Sequence, residues 1–288
     1  MNLSFIILLL VGVTACNSEG NHSVSILNPN ANVVTDTNSN SHRPIVASTP
    51  ALTTSSATVP STGRIGLVWD GDGACPEDCA LAGANAVKAA GLSVRYVNQN
   101  TAANTTADVD AVFADAKVWV MPGGYASSEV AAIPSAIKTA LIQFVAKGGG
   151  YVGWCAGAFA ATSSIGTIGK PGLGIFPGSS DVYTSSGKQN SYGASIEKLT
   201  WFNDTHHFYL EGGPFLKELP SSVEVVGRYD DQVSVAAART TYGSGRVFIT
   251  GVHPEAPSWW WSGTSISDPD GSDEAYAADM VKWAAKLE

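Results

Sequence analysis

Positive charge is scarce in this chain: 16 Lys and Arg stand against 25 Asp and Glu in 288 residues, a formal net charge of −9. No Lys/Arg-rich run occurs anywhere. Non-specific binding to nucleic acid needs a basic patch, so that class of function is excluded. Long apolar runs are missing as well. Ser4 to Val13 is apolar for only about ten residues, too short to cross a bilayer as a stable helix. Metal-ligand spacing is also lacking. His206 and His207 with Glu211 have no third partner at a suitable distance along the chain, so no metal or other cofactor is expected. Cysteine is limited to positions 16, 75, 79 and 155, few enough to consider one by one. What remains, 44% hydrophobic with 14% charged residues, is the composition of a globular protein with one large domain or two small ones.

The apolar run at the start leads into Val13-Thr14-Ala15-Cys16. Small residues before a cysteine at the end of such a run read as an export signal. The pattern resembles the lipobox of bacterial lipoproteins, which implies a signal peptide over 1–15 and acylation of Cys16. Each buried CH₂ contributes roughly 0.8 kcal/mol, so two or three acyl chains would hold the protein on a lipid bilayer. Asn17 after the cysteine, by resemblance to sorting in enteric bacteria, implies the outer membrane, facing the periplasm or the surface. Residues 16–62, rich in Asn, Ser, Thr, Val and Pro, have no periodic apolar pattern and read as a flexible tether. His22 and His42 fall within it and are expected to be solvated.

From residue 63 to 288 the pattern changes to that of an α/β domain. Arg64 to Trp69, Leu92 to Val97, Ala116 to Met121 and Tyr151 to Trp154 read as strands. Pro76 to Ala90 and Ser128 to Lys147 read as the helices between them, each stopping at glycine. Strands alternating with helices predict a parallel sheet flanked by helices. Gly166 to Gly213 reads as inserted hairpins and loops. Val223–Tyr229, Val233–Arg239 and Gly245–Thr250 are strand-like, and Ala275 to Leu287 closes the chain as an amphipathic helix.

Ligands of such sheets sit beyond the carboxyl ends of the strands. Asp70, Pro122-Gly123-Gly124, Cys155 and His253-Pro254-Glu255 all follow strands. Gly153-Trp154-Cys155-Ala156-Gly157 would hold a nucleophile on a tight strand-to-helix turn. The N–H groups of Gly123, Gly124 and Ala156 could stabilise an oxyanion. His253 could take the thiol proton and Glu255 could orient it, the logic of nucleophile, base and orienter. Asp70, Tyr125 and Trp259 are candidates to line a substrate site. A solvated turn explains Asp70 equally well, and packing explains the Trp259–Trp261 run.

Together MPGG, GWCAGA and VHPE resemble the class I glutamine amidotransferase-like domains. The run KGGGYVGWCAGAFAA, with EGGPF further on, is most similar to the biotin-protein ligase N-terminal domain-like branch. The resemblance spans about Arg64 to Glu288. It implies a flavodoxin- or Rossmann-like three-layer sandwich, with Cys155 as nucleophile, His253 as base, Glu255 as orienting acid and Gly124 and Ala156 in the oxyanion hole. It does not carry over biotinylation. An exported chain is expected to work without a synthetase subunit, as a stand-alone hydrolase of a small amide or peptide. The alternative is an envelope protein that binds a ligand or serves as a scaffold on the same fold. Cys75 and Cys79 would be metal-binding or redox-active in the cytosol. Export favours a disulfide between them, the pair left once Cys16 is acylated and Cys155 is the nucleophile.

Overall fold

The computed structural model describes residues 64–184 and 193–288. The expected signal peptide, Cys16, His22, His42 and the tether lie outside the described residues.

Thirteen strands are present among the described residues: β1 (Ile65–Trp69), β2 (Ser93–Val97), β3 (Ala116–Met121), β4 (Gly150–Trp154), β5 (Ser164–Ile165), β6 (Lys170–Pro171), β7 (Ser179–Val182), β8 (Ser195–Trp201), β9 (Asp204–Leu210), β10 (Pro214–Lys217), β11 (Glu224–Tyr229), β12 (Val235–Tyr242) and β13 (Gly245–Thr250). The helices are α1 (Leu81–Ala89), α2 (Thr106–Phe113), α3 (Ala126–Ala132), α4 (Ser135–Ala146), α5 (Ala156–Ala161) and α6 (Glu274–Ala285).

The main sheet runs β2-β1-β3-β4-β13-β12-β11-β8-β9. Its first five strands are parallel. The remaining four continue it antiparallel. The predicted parallel sheet between helices is therefore present, extended by hairpins built from the region that reads as an insertion. The inner parallel strands β1, β3, β4 and β13 are buried along most of their length, as strands covered on both faces are, whereas the edge strand β2 exposes Ser93 and Tyr96. One face buries Leu67, Trp119, Met121, Ile137, Leu141 and Val145 beneath α2, α3, α4 and α5. The other buries Val68, Val120, Trp154, Phe248, Met280 and Val281 beneath α1 and α6.

Two helices differ from their predicted extents. The helix predicted over Ser128–Lys147 is two helices, α3 and α4, bent by 105° at the break. Pro134 lies in the break, where it has no N–H to give and its ring excludes helical backbone before it. The helix predicted over Pro76–Ala90 starts with a wider π-type turn, Pro76–Ala80, before α1. In that turn the Cys75 carbonyl accepts from the N–H groups of Asp78, Cys79 and Ala80 at 3.2, 2.7 and 3.0 Å.

Candidate active site

Strands β1, β3, β4 and β13 run parallel, so their carboxyl ends share one edge. β4 delivers Cys155 there, β3 delivers Gly123 and Gly124, and β13 delivers His253.

Cys155 has φ 49° and ψ −106°. A residue with a Cβ is strained there by roughly 1–3 kcal/mol and stays only where its surroundings over-determine it. Its N–H donates to the Thr250 carbonyl at 2.9 Å, and its carbonyl accepts from Ala158 at 3.0 Å. The next turn closes on β3: Gly157 N–H donates to the Pro122 carbonyl at 3.2 Å, and a Cβ on Gly157 would lie 2.2 Å from the Met121 carbonyl oxygen. The glycine after the cysteine is thus required by close approach of two backbones. Cys155 is 1% exposed. Its thiol donates to the Glu211 carbonyl at 3.4 Å.

His253 is completely buried and held at three points. Its backbone N–H donates to the Tyr209 carbonyl at 2.8 Å. Its Nδ1 lies 2.8 Å from Oε1 of the buried Glu255. A carboxylate only accepts, so Nδ1 carries the proton and Nε2 is left as the basic nitrogen. Gly123 supplies the room: a Cβ there would lie 2.5 Å from His253 Cε1. Burial lowers the proton affinity of His253, but the neighbouring Glu255 and Cys155 outweigh it and carry the imidazole well above its ordinary pKa. Nε2 has no hydrogen-bond partner among the described residues. The structure thus brings Cys155, His253 and Glu255 together, with the thiol donating to a main-chain carbonyl.

The other predicted residues are placed as follows. Gly124 has φ 149° on the loop after β3, and Ala156 is the first residue of α5, whose N–H has no acceptor within the helix. Tyr125 caps α3, and its N–H donates to the Gly73 carbonyl at 2.7 Å. Asp70 shares the edge, but its charge acts on Tyr96 of β2, on the far side of β1 from Cys155, and burial raises its pKa. Trp259 is 51% exposed and meets Trp260 edge-on at 6.2 Å.

Of the expected disulfide pair, Cys75 precedes the π-type turn and Cys79 lies within it. They stand one turn apart. Cys79 is buried beside Gly123, its sulfur 3.4 Å from where a Cβ on Gly123 would sit. Cys75 acts on Glu129.

Four groups escape sequence reasoning, three of them at the site. The Glu211 carbonyl receives the thiol proton, and Tyr209 donates its hydroxyl to the Glu211 carboxylate at 2.8 Å. Trp260 sets its ring 5.4 Å from that of His253 and 5.5 Å from that of Tyr209, edge-on to both. Glu129, fully buried in α3, has neither carboxyl oxygen hydrogen-bonded among the described residues. Burial first, and Cys75 second, push its pKa well above the usual carboxylate range. The EGGPF segment was the available signal for Glu211. Nothing in the sequence singles out Glu129.

A curated biotin–protein ligase of Schizosaccharomyces pombe is 30% identical over 189 residues, 58% of this chain. The chain spans about 29% of the length of that relative. Among solved structures, a glutamine amidotransferase is similar with a TM-score of 0.53 at 18% identity, over 75% of this chain and 98% of its own. That likeness shows the fold alone, a sheet between two layers of helices. The family model described as biotin-protein ligase, N terminal, matches residues 66–282, and with a match over that span the chain belongs to that family.

Proposed function

We propose that this protein is a cysteine-dependent hydrolase of amide bonds in the bacterial cell envelope, anchored through acylated Cys16. The observation that carries the enzymatic reading is the buried His253–Glu255 pair, 2.8 Å apart, beside a cysteine on a strained turn. Rotation of the Cys155 side chain away from the Glu211 carbonyl would bring its proton to His253 Nε2. The thiolate attacks the carbonyl carbon, and the oxyanion is received by the N–H groups of Gly124 and Ala156. The C–N bond breaks as His253 returns the proton to the leaving amine. Water, deprotonated by His253, then attacks the thioester; the C–S bond breaks, the acid leaves and the thiol is restored. Biotin transfer has no place in this reading.

The test is alkylation of the native protein with iodoacetamide, read by peptide mass spectrometry. Cys155 is expected to label, and His253→Ala to slow labelling by on the order of 10²-fold. Labelling of Cys155 only after unfolding would sink the proposal. One observation favours a second reading, a non-catalytic ligand-binding protein: the thiol donates to the Glu211 carbonyl. On that reading Cys155→Ala leaves ligand affinity unchanged.

A further inference from the structure

Two ring nitrogens at this site are buried without a hydrogen-bond partner among the described residues: His253 Nε2 and Trp260 Nε1. The first is the base of the proposed reaction. The second is used by no step of it. A buried indole N–H normally finds an acceptor, and an unmade bond there needs an explanation.

The three consecutive tryptophans differ sharply. Trp259 is half exposed. Trp261 stacks flat on Tyr209, 5.6 Å away at 18°. Trp260 alone of the three stands against the base, its ring edge-on to His253 at 73°. It comes from a single turn, Ser258–Trp260, in a stretch that has no other helix or strand before α6. Of the indoles whose N–H is orphaned among the described residues, Trp69, Trp119 and Trp260, it is Trp260 that stands next to the reacting groups.

We propose that Trp260 is a specificity-determining residue whose indole N–H donates to a second carbonyl of the substrate, which makes the substrate a peptide-type amide. The inference rests on the hydrolase reading above. In that reading the scissile carbonyl oxygen is taken by Gly124 and Ala156. A simple carboxamide then has no acceptor left for Trp260, whereas a peptide offers another carbonyl one residue away.

The test compares two alkylating agents on Cys155: an N-acetyl-dialanyl chloromethyl ketone, which carries flanking carbonyls, and iodoacetamide, which does not. Trp260→Phe keeps a ring and removes the N–H. It is expected to slow inactivation by the peptidyl reagent about tenfold while leaving the iodoacetamide rate within about twofold. Trp259→Phe is expected to change neither rate. Should Trp260→Phe fail to fold, benzothienylalanine at position 260, isosteric and without the N–H, makes the same comparison. Equal changes with both reagents, or none with either, would overturn the assignment of Trp260 and leave the hydrolase reading standing. A wild-type protein that neither reagent labels would overturn the hydrolase reading itself.

Discussion

A methyl group on Gly123 would come within 2.5 Å of His253 Cε1 and 3.4 Å of Cys79 Sγ. The contact with Cys79 is ordinary, but His253 cannot give way cheaply, because it is tied to Glu255 and Tyr209. Gly123→Ala is therefore expected to fold with a loss of roughly 1–3 kcal/mol, and to slow iodoacetamide labelling of Cys155 by on the order of 10²-fold by displacing the base. Unchanged labelling would mean that His253 does not act on Cys155. Cys155, His253 and Glu255 were readable because each follows a strand and the residue types alone define a triad. Trp260 and the Glu211 carbonyl were not. Glu211 reaches Cys155 from 56 residues further along the chain, by way of a hairpin whose path no local pattern reveals. Three identical residues in a row carry no periodic signal either, so the sequence offers no way to choose Trp260 over Trp259. In a 3₁₀ turn each residue rotates about 120° from the last, which is why adjacent tryptophans have such different surroundings.

Helix α2 lies in a stretch that the apolar pattern leaves blank, since only Val112 of its eight residues is buried. Its signal is at the end and not along the face. Thr105 accepts from the Asp108 N–H at 3.1 Å, and Asp108 accepts from the Thr105 N–H at 2.9 Å, a reciprocal capping box. With so little burial to hold it, the cap has a large share in its stability. Thr105→Ala is expected to destabilise the protein by about 1 kcal/mol in urea unfolding. A change below about 0.3 kcal/mol would show that packing of Phe113 and Val112 is enough to hold the helix. The opposite case is the segment Ala126–Ala146, whose apolar spacing suggests one helix although Pro134 forces two. The inner strands of the parallel half were legible nearly to the residue, because burial on both faces makes their sequences largely apolar. The antiparallel half was legible as strands but not as an extension of the same sheet. Pairing of β12 with β13 and of β11 with β8 depends on turns, and periodicity does not encode which edge a hairpin joins.

Across the whole molecule several buried groups hold protons more tightly when folded than when exposed. Burial, then Asp268 and Asp270, push Asp273 from 3.8 up to about 8. Burial and Cys75 raise Glu129, and Glu255 and Cys155 raise His253 against the effect of burial. The sign is the same for all three. Wherever the native state binds more protons than the unfolded state, stability falls as pH rises. For Asp273 the fall begins above 3.8, where the unfolded side chain has ionised, and ends near 8, where the folded one has too. For His253 the favourable contribution is complete below the ordinary histidine value of 6.5 and is lost as pH climbs through the raised folded one. The domain is therefore expected to be more stable in urea at about pH 5 than at about pH 9. Asp273→Asn removes one of the three contributions without touching the triad. Its stability curve should fall less steeply than that of the parent, with the gap widening from mildly acidic pH up to about 8 and then staying level. Parallel curves for variant and parent across that range would show that the folded Asp273 ionises as it does in the unfolded chain, and that the slope comes from Glu129 and His253.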